Sequence, residues 1–185
     1  MEIADNLTRC PWCGTDPLYV AYHDEEWGRP ERDPKRLFEL LILESFQAGL
    51  SWITILRKRE GFRAAFQGFD PEIISAWGEP EISRLLQDPG IVRHRGKIEG
   101  TIRGAQAFLR IEDREGFSPF LWSFAPPPAA RPQSHRDVPA QTVHSQAMSK
   151  ALKGEGFNFV GPTITYAFMQ AAGLVNDHLA TCRWS

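Results

Sequence analysis

Cysteine is scarce in this chain, with only three residues in 185. So small and odd a number argues against a disulfide framework and favours a reducing compartment. No apolar run approaches the roughly 20 residues of a membrane-spanning helix, and the amino-terminal segment MEIADNLTRC lacks the apolar core of a signal peptide. These absences predict a cytoplasmic protein without a membrane partner.

An excess of positive charge is also missing. Lys and Arg number 21 against 23 Asp and Glu, for a formal net charge of −2. The chain therefore has no global signature of a nucleic-acid-binding protein, although a local basic patch can still contact phosphates. At this length we expect a single domain over residues 1–185, with roughly 70 % of the unfolded surface buried.

Helix signals are present along nearly the whole sequence. An acidic residue followed by proline marks a helix start, because the acid can cap the first turn and proline fits the first helical position. The pair occurs at Asp16-Pro17, Asp33-Pro34, Asp70-Pro71 and Glu79-Pro80. No run alternates as a strand would, so the predicted fold class is all-α.

One helix should lie at the centre of the fold. The segment from Pro34 to Phe46 is apolar on nearly all sides, as expected of a helix surrounded by others. Gly49 interrupts the pattern, and Ser51 is placed to cap the next helix. Ser145 should cap a later one. The further helices are expected at about residues 52–60, 97–111, 145–154 and 163–172.

Three segments have special features. Residues 119–139 hold six prolines and should form a surface connection without regular helix. A tight hairpin at residues 156–161 should join two helices, in the form of a helix-hairpin-helix. After Gly173 a last short helix should present His178 and Cys182 on one face, because they are four residues apart.

Soft-metal ligands stand near both ends of the chain, Cys10 and His23 at the front and His178 and Cys182 at the back. Two thiolates and two imidazoles complete a tetrahedral shell for zinc and leave no position for a substrate. We therefore predict one structural Zn²⁺ that joins the two terminal segments. Two alternatives remain open at this point: Cys13 could replace Cys10, or the residues could bind no metal.

A carboxylate interrupts the apolar stripe of the central helix. Glu44 shares this stripe with Leu37, Leu41 and Ala48, and a buried carboxylate is costly unless it is paired or functional. A salt bridge to an arginine is one explanation and a binding site is the other. The corner at Gly49, which brings further side chains beside the acid, favours a site.

Aromatic residues are concentrated near this acid. Those that could frame it are Trp12, Tyr19, Tyr22, Trp27 and Trp52. Such a box suits a flat polar or cationic ring, since stacking contributes about 1–3 kcal/mol per base and the carboxylate can accept from an exocyclic amine. The alternative is an aromatic core in which the rings only fill space.

Two glycine-containing turns could contact phosphates. The first, residues 90–97, is basic and precedes a helix; its charged residues are Arg93, Arg95 and Lys97. In the second, residues 156–163, Gly161 and Thr163 stand where backbone amides open a helix and can approach a phosphate closely. Each signal alone is weak, because such turns are common between helices.

Assembled, these residues resemble the bacterial DNA-3-methyladenine glycosylase I family of the helix-hairpin-helix glycosylase superfamily. The resemblance extends from about Arg9 to Cys182. It is carried by the strings YVAYHDEEWG at 19–28, QAGLSW at 47–52, GIVRHRGKI at 90–98, FVG at 159–161 and VNDH at 175–178. Strings of this length do not agree jointly by chance.

The resemblance implies a hydrolase of base-excision repair. Such an enzyme flips 3-methyladenine out of alkylated double-stranded DNA and hydrolyses its N-glycosidic bond, which leaves an abasic site and a free base. The resemblance assigns zinc to the four ligands named above, Glu44 and Tyr22 to catalysis, and the other aromatic residues to the base. Gln47 and Leu50 would contact DNA, with Leu50 filling the gap left by the flipped nucleotide. A monomer is expected, and Cys13 is not a ligand in the family pattern.

Two further expectations concern mechanism. Asp177 precedes His178 and is expected to orient that metal ligand rather than to activate water. No lysine holds an evident nucleophilic position, which predicts a monofunctional enzyme without strand cleavage. Two other classes of protein stay open. A zinc-stapled DNA-binding module would not need Glu44, and a small-molecule-binding protein would not need the helix-hairpin-helix.

Overall fold

The computed structural model describes residues 8–184, and the regular structure of that part is entirely helical, as predicted. Its α-helices are α1 (Pro17–Glu25), α2 (Pro34–Gln47), α3 (Trp52–Ala65), α4 (Pro71–Ser75), α5 (Glu79–Leu86), α6 (Arg95–Arg114), α7 (Phe117–Trp122), α8 (Val143–Glu155) and α9 (Pro162–Ala171). Short 3₁₀ turns occur at Pro11–Cys13, Gln67–Phe69 and His135–Asp137. None of these helices has the length and apolarity needed to cross a bilayer.

Helices start at all four acid–proline pairs, as predicted, but only the three aspartates are caps, since α5 begins at Glu79 itself with Gly78 as its cap. The Asp16 carboxylate accepts from the amide of Leu18 at 3.0 Å, and Asp33 accepts from the amide of Arg36 at 2.8 Å. Asp70 caps α4 in the same way. Each cap satisfies an amide that the first helical turn leaves without an intrahelical partner.

Helix α2 lies at the centre of the fold, as predicted, and packs against α3, α6, α7 and α9. Its buried residues are Leu37, Phe38, Leu41, Ile42, Leu43, Glu44, Ser45 and Phe46. Helices α8 and α9 pack against each other and α9 packs on α2, while α4 and α5 pack on α6. The apolar faces of these helices form a continuous core that holds α2 in a fixed position.

Helix α8 begins earlier than predicted, at Val143 with Thr142 as its cap. The Ser145 amide donates to Thr142 Oγ1 at 3.2 Å, and the Thr142 amide donates to Ser145 Oγ at 2.9 Å. Ser145 is therefore the third helical residue and not the cap. The reciprocal pair of hydrogen bonds is what starts the helix at this point.

The proline-rich segment contains more helix than predicted. Helix α7 extends into it and includes Pro119, which lies in the first turn, where a missing amide hydrogen breaks no intrahelical bond. Beyond α7, residues 123–139 contain only the 3₁₀ turn His135–Asp137. The expectation of a connection without regular helix is correct for this part.

The predicted last helix is wrong. Residues 172–184 contain no helix, so His178 and Cys182 approach each other through a loop. The guanidinium group of Arg131 donates to the carbonyls of Leu179, Ala180 and Cys182 at 2.7–2.8 Å. Because a side chain satisfies these carbonyls, the segment does not need a helical hydrogen-bond ladder.

Candidate active site and metal centre

Four buried side chains from the two ends of the described chain converge on one point. They are Cys10, His23, His178 and Cys182, and their ligand atoms all lie within 4.8 Å of one another. The sulfur of Cys182 lies 3.5 Å from Nε2 of His23 and 3.5 Å from Nδ1 of His178. The sulfur of Cys10 lies 3.7 Å from the same Nδ1. The cluster could hold a metal ion, at the four residues predicted.

Cys13 does not belong to this cluster. Its thiol donates to the backbone oxygen of Cys10 at 3.2 Å, and its sulfur is absent from the convergent set of ligand atoms. The arrangement in which Cys13 replaces Cys10 therefore does not fit the structure.

The remaining imidazole nitrogens have well-defined partners. Nδ1 of His23 lies 2.7 Å from the carboxylate of Asp24, which Arg9 also binds. Nε2 of His178 lies 3.0 Å from the backbone oxygen of Trp27. These contacts orient each ring so that its other nitrogen faces the cluster. Sequence reasoning missed Asp24, although a carboxylate directly after a ligating histidine is a signal that could have found it.

The expectation for Asp177 is wrong. Its carboxylate accepts from the hydroxyl of Tyr166 at 2.6 Å and from the amide nitrogen of Gln170 at 2.9 Å, and does not contact His178. Both donors belong to α9, so Asp177 fixes the carboxy-terminal tail against that helix. Adjacency in sequence was misleading, because consecutive side chains of an extended segment point in different directions.

The carboxylate of Glu44 is buried and unpaired. Only 3 % of the residue is exposed, and Oε2 has no hydrogen-bond partner in the described chain. No arginine forms an ion pair with it among residues 8–184, which removes the salt-bridge explanation. Burial raises the pKa of Glu44 to about 8, because the charged form loses its hydration.

A cavity of about 310 Å³ lies beside Glu44. Its aromatic lining residues are all those predicted: Trp12, Tyr19, Tyr22, Trp27 and Trp52. The ring of Trp12 is central, with its centroid 5.0 Å from that of Tyr19 and 4.8 Å from that of Trp27. The rings of Tyr22 and Trp52 are 5.5 Å apart. The aromatic residues therefore frame a cavity and do not merely fill a core.

Unsatisfied polar atoms are concentrated in the same cavity. The buried side-chain atoms that lack a partner in the described chain are Glu44 Oε2, Gln47 Oε1, Trp12 Nε1 and Trp52 Nε1. All four residues line the cavity. Buried polar groups nearly always have partners, so two acceptors and two donors left open around one space indicate a polar ligand.

Gln47, a predicted DNA contact, lies in the wall of the cavity. It lies three residues after Glu44 on α2, and its amide oxygen is buried in the cavity wall instead of facing open surface. The spacing of three residues puts both side chains on one helix face. That signal was available in the sequence.

Part of the cavity wall comes from residues that the sequence did not assign to the base site. These residues are His135, Val138, Ala167, Gln170 and Leu179, together with Asp177. They derive from the proline-rich connection, from α9 and from the carboxy-terminal tail. Only tertiary packing brings these segments together, so the sequence carried no local signal for them.

Most of the predicted DNA-contacting residues lie on the surface or at the start of a helix. Leu50 is 43 % exposed on the corner between α2 and α3, and Arg93 and Thr163 are also exposed. Gly161 caps α9. Arg95 is exposed but pairs with Glu79 at 2.7 Å. These residues remain predicted contacts.

Lys97 does not fit its predicted role. It is only 6 % exposed, and its ammonium group donates to the backbone oxygens of Phe46 and Ala48, each at 2.8 Å. An ammonium group that is itself buried and held by two backbone carbonyls is not available to a phosphate. The basic residues of a turn look alike in sequence, and only packing distinguished this one.

Comparisons with known proteins agree with the geometry. The family model described as methyladenine glycosylase matches residues 12–185. The DNA-3-methyladenine glycosylase 1 of Escherichia coli is 53 % identical over 179 residues, which is 95 % of this chain and 96 % of the relative. The DNA-3-methyladenine glycosylase of Haemophilus influenzae is 49 % identical over 178 residues, with the same coverage.

Solved structures show the same fold. A crystal structure of 3-methyladenine DNA glycosylase I superimposes with a TM-score of 0.93 at 53 % identity, covering 95 % of this chain and 98 % of the other. A variant of 3-methyladenine DNA glycosylase I in complex with 3-methyladenine gives a TM-score of 0.91 at 41 % identity, covering 95 % and 96 %. Sequence and structure agree over nearly the whole length, and the chain belongs to the methyladenine glycosylase family.

Proposed function

We propose that this protein is a DNA glycosylase that flips 3-methyladenine out of alkylated duplex DNA and hydrolyses its N-glycosidic bond. The observation that carries the proposal is the buried, unpaired carboxylate of Glu44 in a cavity framed by aromatic rings. The relatives named above act on, or were solved with, 3-methyladenine. A DNA-binding module would have no need of such a carboxylate. We infer that the enzyme acts on chromosomal DNA in the cytoplasm, as a monomer.

Charge provides the selection between damaged and undamaged base. Methylation at N3 gives the purine a positive charge in the nucleotide, while adenine is neutral. In the free protein burial raises the pKa of Glu44 to about 8, and an adjacent cation lowers the pKa of a carboxyl again. A methylated base therefore ionises Glu44 as it enters and gains an ion pair in a site of low dielectric. Adenine gains no such partner.

Hydrogen bonds and stacking position the flipped base. The exocyclic amine can donate to Glu44 or to Gln47, and the indole nitrogens of Trp12 and Trp52 can donate to ring nitrogens. Tyr22 is 3 % exposed, and its ring forms part of the same wall. Stacking contributes about 1–3 kcal/mol per base, which offsets an extrusion cost of a few kcal/mol.

The chemical step needs no strong acid. When the bond between C1′ and the base breaks, its electron pair neutralises the cationic ring, so the base leaves as a neutral molecule. Water then forms a bond to C1′ and releases its proton to solvent. No lysine lines the cavity in the described part of the chain, which supports a monofunctional enzyme that leaves the DNA strand intact.

The DNA is proposed to lie across the exposed corner and the start of α9. Leu50 is placed to enter the gap left by the flipped nucleotide. The first amides of α9, after Gly161 and around Thr163, have no intrahelical partner and can bind a phosphate. The exposed side chain of Arg93 would add a further phosphate contact.

We propose that the metal of the terminal cluster is one Zn²⁺. With zinc–sulfur and zinc–nitrogen bonds of about 2.3 and 2.05 Å, a tetrahedral site separates sulfur and nitrogen by about 3.6 Å, and the three separations measured here are 3.5, 3.5 and 3.7 Å. Burial raises the pKa of the Cys10 thiol to about 12, so a cation is needed to hold the thiolate. Four protein ligands leave no open position, and the ion would be structural.

The replacement Glu44→Gln tests the proposed activity. In single-turnover assays on alkylated duplex DNA, with the released bases separated by chromatography, release of 3-methyladenine should fall about 10²–10³-fold. Glu39→Gln is the matched control, since Glu39 is on the same helix and pairs with Arg63 at 2.8 Å. The control should retain the wild-type rate. Release by the Glu44→Gln variant at the wild-type rate, or no release by the wild type, would contradict the proposal.

A further inference from the structure

The corner that carries Leu50 has an unusual helix ending. Helix α2 stops at Gln47, and the capping residue Ala48 is non-helical with no amide hydrogen bond back into the helix. Gly49 follows with a φ of 85°. The last carbonyls of a helix need partners from elsewhere. At this corner the backbone oxygen of Gln47 accepts from the Leu50 amide at 2.6 Å.

The other two carbonyls of the corner are satisfied by Lys97. Its Nζ lies 2.8 Å from the oxygen of Phe46 and 2.8 Å from that of Ala48. Lys97 is the third residue of α6, so a side chain of a distant helix caps α2. A cation at this end also interacts favourably with the helix dipole.

The same ammonium group contacts the hairpin between α8 and α9. Nζ lies 5.8 Å from the ring centroid of Phe159 and 5.9 Å from that of Phe46, within the range of cation–π attraction. Phe159 has a φ of 57°, which residues other than glycine rarely adopt, and is 38 % exposed at the tip of the hairpin. Its ring packs over Gly96 and Gly100 of α6.

Lys97 therefore links three segments that adjoin the proposed DNA contacts. Its ammonium group binds the corner before Leu50 and lies near the ring of Phe159 in the hairpin before α9. Its amide donates to His94 in the turn before α6 at 3.2 Å. We propose that Lys97 is a positioning residue for base extrusion, which fixes the Leu50 corner relative to the hairpin and makes no phosphate contact. This inference rests on the proposed glycosylase function. It replaces the phosphate role that the sequence suggested.

The test compares Lys97→Met with Lys58→Met and Arg93→Ala. Lys58 also donates to a backbone oxygen, that of Pro89 at 2.8 Å, and so controls for the loss of a lysine–carbonyl bond. Base extrusion is followed by the fluorescence rise of 2-aminopurine placed beside the lesion in duplex DNA. Lys97→Met should reduce this rise and the single-turnover excision rate by about 10–100-fold. The reason is that displacing a group by about 1 Å can lower a reaction rate by about 10²-fold. Lys58→Met should behave as wild type.

Two further readouts separate positioning from phosphate binding and from general damage. The slope of log affinity for undamaged duplex against log salt should be unchanged in Lys97→Met, whereas Arg93→Ala should reduce it by about 1. Binding of free 3-methyladenine, followed by tryptophan fluorescence, should stay within about twofold of wild type, because Lys97 is absent from the cavity lining.

The outcomes are distinct. A reduced salt slope with normal extrusion, or excision at the wild-type rate, would overturn the positioning role. If Lys97→Met loses its helical circular dichroism, Lys97→Gln, whose shorter side chain has amide donors but no charge, is subjected to the same three measurements and the same criteria. A wild-type protein that neither releases nor binds 3-methyladenine would instead refute the proposed function.

Discussion

Glu44 shows how one residue can report a site. A carboxylate among Leu37 and Leu41 is anomalous in sequence, and the structure removes the ordinary explanation by leaving it unpaired. Burying this carboxylate without a partner lowers the free energy of unfolding of the protein. A polar group kept without a partner in the free protein indicates a ligand that supplies one.

The raised pKa of Glu44 has a measurable consequence for stability. In the unfolded chain the carboxyl ionises near 4.5, whereas burial raises its pKa to about 8 in the folded protein. As pH rises between these values the unfolded state loses a proton that the folded state keeps, so the free energy of unfolding falls. Glu44→Gln removes this penalty, and its stability relative to wild type should increase from pH 5 to pH 8 by on the order of 3 kcal/mol.

Urea unfolding at several pH values measures this difference. Glu39→Gln is again the control, because Glu39 is ion-paired. A stability difference between the Glu44→Gln variant and wild type that stays constant over this pH range would show that Glu44 is already ionised in the folded state.

At the scale of single residues, the sequence identified those with unusual chemistry. The four soft ligands and the acid on an apolar stripe were visible because each is rare in its context. Gln47 and Asp24 were assigned elsewhere or missed, since amides and acids are common on helix surfaces. Their burial and partners, which only the structure gives, distinguish them.

Helix α2 has its capped start at one end and the residues of the site at the other. Asp33 caps its first turn, and Glu44 lies eleven residues later, about 16 Å along the axis. The two ends therefore have separate roles. The start contributes stability, while the end supplies the acid, Gln47 and the corner with Leu50.

Removing the cap should affect stability alone. Asp33→Ala should lower the free energy of unfolding by about 1 kcal/mol, because one amide of the first turn loses its partner. Denaturant unfolding measures the loss, and single-turnover excision at temperatures well below the melting midpoint should match wild type. Asp113→Ala, at an exposed position on α6, should change neither quantity. A slower excision by Asp33→Ala would show that the two ends of α2 are coupled.

At the scale of elements, boundaries followed local chemistry where the chemistry was unambiguous. Acid–proline pairs predicted three helix starts with their caps, at Asp16, Asp33 and Asp70. Thr142 and Ser145 are both good caps, and the sequence could not rank them. The tail with His178 and Cys182 is not helical because Arg131, which is distant in sequence, satisfies its carbonyls.

At the scale of the whole molecule, the Cys and His cluster that could hold a metal connects the terminal segments. Residues 10–23 and 178–182 meet there, and the Trp27 and Cys10 segments also line the cavity. Because the same segments belong to the cluster and to the cavity wall, loss of the metal should loosen the base site.

Cys182→Ser tests this connection. Elemental analysis should find one zinc ion per wild-type chain and none in the variant. The free energy of unfolding should fall by about 2–5 kcal/mol, the range for removing a native cross-link. The variant should retain its helical circular dichroism, because the helices share a large core. Cys13→Ser is the matched control, and should keep the metal, since Cys13 lies outside the cluster. Loss of metal in Cys13→Ser with retention in Cys182→Ser would refute the ligand assignment.

The sequence by itself determined the all-helical class, the central position of α2, the four Cys and His residues that converge in the terminal cluster, and the acid among apolar neighbours. These follow from periodicity, capping and the rarity of certain residues, which are local properties of the chain. The tertiary structure alone decided that Glu44 is unpaired, that Gln47 faces the cavity, that Lys97 caps a distant helix and that the proline-rich segment closes the site. Burial and hydrogen-bond satisfaction depend on which segments meet in space, and side chains far apart in sequence settle them.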